Sequence, residues 1–310
     1  MGINTPVDLS ILIVNWNVKD YLRNCLISIY EKTRGITFEI IVVDNASVDG
    51  SVEMVRREFS QVRLVENTEN MGFGRANNLA VPLTNGRFIG LLNPDTILIN
   101  DAFSLMVTLL DMNQKIGIIG PKLLAGDGTI QRMCARKFNN FWDWLKLSLF
   151  GGRHFSLKRN HVDESEFEID QEVDCISGAC MVIRRDIIHE ERIFDPIFFM
   201  YGEDVDLCYT AVHRGWKVFY LSQALVIHYG GESSKQEASI VQYDMDAAYN
   251  LAVKRYGKLA GYVFRFLNLT IWLLKLAFTV VILLVPSFHH DQDWVNRRVA
   301  YNKIIRNAFK

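Results

Sequence analysis

The chain has no surplus of charge. Thirty-four Lys and Arg stand against 35 Asp and Glu, a formal net charge of −1 over 310 residues. A general nucleic-acid binder carries a basic excess, so no nucleic-acid partner is expected. Paired cysteines are also lacking. The five present, Cys25, Cys134, Cys175, Cys180 and Cys208, are odd in number, form no Cys-x-x-Cys, and lie partly in apolar runs. They read as buried, reduced thiols of a cytosolic protein. The N-terminus lacks a basic start, and residues 9–14 are too short for the apolar core of a secretory signal. Glycine is missing where a dinucleotide-binding fold needs it. The turn after the first apolar run is Asn15-Trp16-Asn17-Val18 rather than Gly-x-Gly-x-x-Gly, which argues against a nicotinamide or flavin enzyme.

What is present is a large apolar fraction, 49%, enough for a sizeable core in one large domain or two small ones. Through residue 120, short apolar runs alternate with amphipathic segments. Residues 9–14, 38–43, 62–66, 87–92 and 116–119 read as strands. Residues 21–30, 52–59, 74–83 and 102–111 read as helices. Continuous apolar strands separated by helices predict an α/β fold, a parallel sheet covered on both faces.

The alternation stops over 125–172, which carries an aromatic cluster at 138–150 and an acidic stretch at 163–172. This reads as an insertion or flap with an apolar face. Its apolar face either packs on the sheet or meets lipid or a lipid-linked substrate. Order returns with a strand over 175–184, a helix over 204–213, strands over 216–220 and 224–227, and a helix over 238–256. Residues 266–286 have Lys275 as their only charge, close to the ~20 residues that cross a bilayer. Arg297, Arg298, Lys303, Arg306 and Lys310 follow, which suits the cytoplasmic side of a membrane. A buried helix of a soluble domain or an interfacial helix pair fits the same composition. The organisation expected is a domain over 1–235 and a helical, membrane-associated tail over 236–310.

Polar clusters follow several of the apolar runs. Carboxylates at the ends of buried strands are costly unless they bind something, and ligands of open α/β sheets sit at the carboxyl ends of the strands. Asp44 and Asn45 end the second strand, where a carboxylate can accept from a base N–H and an amide can donate and accept. Ser47 and Asp49 fit helix capping as well as ligand contact. Asn93-Pro94-Asp95 ends the fourth strand. Proline forces a turn there, and Asp95 suits a Mg²⁺ or Mn²⁺ site completed by phosphate oxygens, or else an Asx-turn. Glu203 and Asp204 open a helix, whose dipole favours the ionised carboxylate a general base requires. Asp206 reads as a helix-surface or capping residue. His228, at a strand end before Gly230-Gly231, is a metal-ligand candidate.

The stretches SILIVNWN, EIIVVDNASVDGS, NMGFGRANN, LLNPDT, ISGACMVIRRD, FMYGEDVDLCYTAVHRGW and VIHYGGES run in order across residues 10–233. Together they resemble the inverting glycosyltransferases of family 2, with the GT-A nucleotide-diphospho-sugar transferase fold, and within them the rhamnosyltransferase-like branch. The resemblance implies a mostly parallel central sheet and a nucleoside-diphosphate sugar donor, dTDP-L-rhamnose in the first place. The acceptor would be a hydroxyl of a cell-surface glycan or a lipid-linked molecule. Asn15, Asp44 and Asn45 would contact the nucleoside, with Arg75, Asn77 and Asn93 nearer the diphosphate and sugar. Asp95 would hold the divalent metal with His228, Asp204 would be the base, and Glu203 would position acceptor or base. Many members carry Asp-x-Asp where this chain has Asn93-Pro94-Asp95, and an amide is the weaker metal ligand. A UDP-hexose donor, or a membrane-associated scaffold without catalysis, are the alternatives.

Overall fold

The structure is a computed structural model. It describes residues 7–138, 164–188, 191–230, 240–284 and positions 294, 298, 299, 301, 302 and 305. The aromatic positions 141–150 and the tail's Arg297, Lys303, Arg306 and Lys310 lie outside the described residues. The chain divides into two compact units, Met1–Phe138 with Asn160–Glu237, and Asn139–Arg159 with Ala238–Lys310.

The first unit opens with β1 (Leu9–Asn15), α1 (Lys19–Lys32), β2 (Phe38–Asp44), α2 (Ser51–Glu58), β3 (Arg63–Glu66), α3 (Phe73–Ala80) and β4 (Phe88–Leu92). All seven residues of β1 and all five of β4 are buried, as strands covered on both faces require. Then come β5 (Thr96–Leu98), α4 (Ala102–Met112), β6 (Ile116–Leu124), β7 (Ala135–Arg136), β8 (Gln171–Val173), β9 (Cys175–Ile176), β10 (Cys180–Arg184), α5 (Glu203–His213) and β11 (Lys217–His228). The main sheet runs β3-β2-β1-β4-β10-β6-β11-β5, with β8 also paired to β11. β1 to β4 are mutually parallel, and β6 is parallel to β11. β10 is antiparallel to both of its neighbours.

Two expectations need correction. The apolar run 175–184 is two strands, because Ser177-Gly178-Ala179 turns the chain between β9, which pairs with β7, and β10, which enters the main sheet. The two runs expected over 216–220 and 224–227 are one twelve-residue strand, β11, which starts at Lys217. Its irregularity between Leu221 and Leu225 leaves Ser222 buried in mid-strand, held by the Asp170 carboxylate. All five cysteines are unpaired and buried. Burial pushes the thiol of Cys25 up to about 12 and that of Cys134 up to about 11.

The second unit holds α6 (Ile240–Tyr256) and α7 (Lys258–Leu283), separated at Gly257. A Cβ on Gly261 would stand 2.3 Å from Val253 Cγ2, so the two helices meet where no side chain intervenes. Trp272 packs against Tyr301 and Phe278 against Trp294, with ring centroids 5.3 and 6.2 Å apart.

Candidate active site

The parallel half of the sheet places Asn15 beside Asp44 at the carboxyl ends of β1 and β2. The Asn15 amide donates to Asp44 Oδ1 at 2.8 Å and to Ser47 Oγ at 3.1 Å, and the Ser47 N–H donates to Asp44 Oδ2 at 2.8 Å. The two turns that carry these groups are held in the left-handed region at Asn17 (φ 54°) and Ala46 (φ 59°). Such conformations persist where surrounding structure over-determines them, and they cluster at functional sites. Asn45 makes three side-chain hydrogen bonds. Its Oδ1 accepts from Asn67 at 2.8 Å, and its amide hydrogens go to Asn70 Oδ1 and Gly72 O at 3.2 and 3.3 Å. It staples the 67–72 loop to β2. Asp49 is a double cap, accepting the Lys19 N–H at the start of α1 and the Ser51 N–H at the start of α2.

Asn77 is buried on α3 and donates to Phe73 O within its own helix. Arg75, on the same helix, is exposed, and its Nε donates to Pro196 O at 3.1 Å. No hydrogen bond among the described residues joins Arg75 to the other candidates. Asn15 Oδ1, Asn77 Oδ1 and Glu203 Oε2 are buried without a hydrogen-bond partner. An orphaned buried acceptor costs about 1–3 kcal/mol, so three of them among the residues singled out from sequence mark a place that stability alone would not shape.

Asp95 and His228 come from residues 133 positions apart, and β5 brings them together by pairing antiparallel with β11, Thr96 opposite His228. His228 Nε2 lies 3.4 Å from Asp95 Oδ1 and 3.3 Å from Asn93 Nδ2. The Tyr229 N–H donates to Asp95 O at 3.0 Å, which fixes the backbone of the pair. A carboxylate oxygen and an imidazole nitrogen at this spacing fit a shared divalent cation. Among the described residues no group of three or more His, Cys, Asp or Glu gathers. This leaves, among the described residues, a two-group arrangement, which suits a Mg²⁺ or Mn²⁺ whose other positions are filled by phosphate oxygens and water.

The turn between β9 and β10 links this end to the acids of α5. Asn93 N–H donates to Ala179 O at 2.8 Å, and Gly178 N–H donates to Asp204 Oδ2 at 3.1 Å. Arg136 Nη2 reaches the same oxygen at 2.9 Å, and Asp204 Oδ1 accepts the Val205 N–H at 2.7 Å. Glu203, one residue earlier, has no cation of its own. Burial, with the adjacent Asp204 charge adding to it, pushes its carboxyl up to about 8. Burial thus favours the protonated form of Glu203, next to an Asp204 held by Arg136, a contrast of environments that suits two different roles. Asp206 is buried rather than on the helix surface.

The loop leading into α5 is clamped onto α3. Phe73 N–H donates to Phe199 O at 2.9 Å, and a Cβ on Gly72 (φ +79°) would stand 2.3 Å from that oxygen. Gly72 therefore allows an approach no other residue permits. Tyr201, just before the acids, sits at φ 69°.

Gln131 and Arg136 escaped the sequence reading. Both lie in the 125–172 segment that shows no periodicity, and each meets its partner across 97 and 68 positions. No local signal marks them. The segment read as a flap thus contributes two polar side chains to the site.

Known proteins resemble the chain in sequence and in fold. The family model "Glycosyltransferase like family 2" matches residues 6–242. An N-acetylglucosaminyl-diphospho-decaprenol L-rhamnosyltransferase of Mycobacterium tuberculosis is 24% identical, over 74% of this chain and 78% of its own length. The rhamnosyltransferase WbbL of Escherichia coli is 24% identical over 73% of this chain and 84% of its own. Among solved structures, GalNAc-T7 with UDP, GalNAc and Mn²⁺ superposes with a TM-score of 0.56 at 16% identity, over 73% of this chain and 44% of that one. The mannosyltransferase PcManGT of Pyrobaculum calidifontis, with GDP-Man and Mn²⁺, superposes with a TM-score of 0.56 at 14% identity, over 98% of this chain and 88% of that one. The sheet is that of the GT-A fold, and the chain belongs to glycosyltransferase family 2.

Proposed function

We propose that this protein transfers a sugar from a nucleoside-diphosphate donor, dTDP-L-rhamnose in the first place, to a hydroxyl of a cell-surface glycan or lipid-linked acceptor, with inversion at the anomeric carbon. The observation that supports the reading is that the turn between β9 and β10 bonds both to Asn93, beside the Asp95–His228 pair, and to the ion-paired carboxylate of Asp204. The choice of rhamnose rests on the two rhamnosyltransferase relatives.

In this reading Asn15 and Asp44 face the nucleoside, while Asn45 holds the loop that walls it. Arg75, Asn77 and Asn93 line the path toward diphosphate and sugar. Asp95 and His228 would hold Mg²⁺ or Mn²⁺, which when bound neutralises charge gathering on the departing diphosphate. Asp204 is the base. Both lone pairs of its Oδ2 are taken by Arg136 and Gly178, and one of Oδ1 by Val205, so Oδ1 keeps the lone pair that receives the acceptor proton. The acceptor oxygen attacks the anomeric carbon as its O–H proton passes to Asp204. The bond from that carbon to the diphosphate breaks, and its electron pair leaves with the diphosphate. Glu203, neutral beside the base, can donate a hydrogen bond to position the acceptor without adding a second negative charge.

The tail fits attachment to the cytoplasmic side of a membrane. At ~1.5 Å per residue, the 26 residues of α7 reach about 39 Å, beyond the ~30 Å apolar core of a bilayer. Leu259, Phe266, Leu274, Phe278 and Val281, spaced three to eight apart, are all 60–77% exposed.

The deciding experiment incubates the purified protein with a panel of nucleotide sugars, with Mn²⁺ or Mg²⁺ and with chelator. Metal-dependent release of dTDP from dTDP-rhamnose alone is the expected result. Release from a UDP-sugar instead overturns rhamnose and keeps the class, and failure to bind any nucleotide overturns the enzyme.

A further inference from the structure

Gln131 holds His228 by two bonds at once. Its side-chain nitrogen lies 2.5 Å from the backbone oxygen of His228, and its side-chain oxygen lies 2.9 Å from His228 Nδ1. A backbone carbonyl only accepts, so the atom facing it must be the amide nitrogen, and the orientation of the Gln131 side chain follows. Its oxygen then faces Nδ1. An amide oxygen cannot donate, so Nδ1 must carry the proton. The imidazole is thereby fixed as its Nδ1–H tautomer, with the Nε2 lone pair directed at Asp95 and Asn93. The Asn93 contact agrees independently, because its Nδ2 can only donate to Nε2.

The platform under this clamp is rigid. The Gln131 N–H donates to Leu123 O of β6 at 2.8 Å, and Leu123 pairs with Val226 of β11, two residues before His228. Gln131 and His228 thus hang from adjacent strands of one sheet.

We infer that Gln131 is a positioning residue for the cation site: by locking His228 in the Nδ1–H tautomer it holds Nε2 as a ready electron-pair donor beside Asp95. This rests on the reading of Asp95 and His228 as cation ligands. Histidine ligands generally donate their other ring N–H to a fixed acceptor, and loss of that acceptor typically weakens metal binding ~10–100-fold.

The test uses the full chain and two readouts. In metal-free protein labelled with ¹⁵N-histidine, with the His228 signals assigned through His228→Gln, the ring nitrogens should report the Nδ1–H form. In Gln131→Leu they should report a mixture of tautomers. Titration with Mn²⁺ alone, followed by the loss of the free-ion resonance in electron paramagnetic spectra, should show ~10–100-fold weaker binding in Gln131→Leu. Gln131→Glu keeps an acceptor for Nδ1–H but loses the donor to His228 O, so it should restore the Nδ1–H form and part of the affinity, which separates the effect from general unfolding. A His228 found as Nε2–H in the unaltered protein, or a tautomer unmoved by Gln131→Leu, overturns the proposal. Equal Mn²⁺ affinity in Asp95→Asn and the unaltered protein instead overturns the cation-site reading, while Gln131's hold on the tautomer would stand on the spectra.

Discussion

At the scale of single residues, Glu203 and Asp204 are consecutive in sequence yet opposite in environment. Asp204 gathers a guanidinium and two backbone N–H groups, and Glu203 keeps an orphaned oxygen in the interior. Replacing Asp204 with Asn removes the proton acceptor but little volume. Transfer should fall ~10²–10⁴-fold while donor binding by calorimetry is retained, and full activity in that variant would discard the base assignment. Glu203 makes its mark on stability. The unfolded chain releases this proton near pH 4.5, and the folded chain keeps it until about 8. Between those values the native state binds more protons, so stability falls as pH rises. The thermal midpoint should decline from pH 5 to 8, and Glu203→Gln should flatten that slope. The acids announced themselves in sequence because they follow an aromatic run and open a helix. Arg136 and Gln131 did not, since an arginine or glutamine in an irregular stretch looks the same whether it faces water or a buried partner.

At the scale of elements, the site depends on the clamp between α3 and the loop ahead of α5. Gly72→Ala would force a methyl group into Phe199 O and hold a left-handed φ, costs of about 1–3 kcal/mol from each source. A lowered urea midpoint together with weakened transfer is expected, and an unchanged midpoint would show that the clamp is dispensable. The elements from β1 to β4 were legible because each strand is an uninterrupted apolar run and each helix an amphipathic one. The run 175–184 misled because Ser177-Gly178-Ala179 are small and flanked by apolar residues on both sides, so nothing in composition marks the turn. β11 misled in the opposite sense. Ser222 and Gln223 interrupt the apolar pattern, yet Asp170, fifty-two positions away, satisfies the serine inside the sheet. Long-range partners of this kind leave no periodic trace.

At the scale of the whole molecule, α7 carries an apolar face that water does not favour. The intact protein should float with vesicles containing anionic lipid. Replacing Phe266, Leu274 and Phe278 together with Lys should leave it at the bottom of the gradient. Flotation unaffected by the triple change would locate the membrane contact elsewhere. The order of the sheet has a consequence for how the protein is made. β5 has one partner in the main sheet, β11, and β11 also supplies β6 with its second edge. As the chain leaves the ribosome, the strand beginning one residue after Asp95 waits more than a hundred residues for its neighbour. Open strand edges invite pairing with other chains, so this interval is where a nascent molecule most needs a chaperone. The same delay means that His228 arrives last, and a chain that ends before β11 leaves β5 and β8 without the strand they pair with and has no His228 to set beside Asp95.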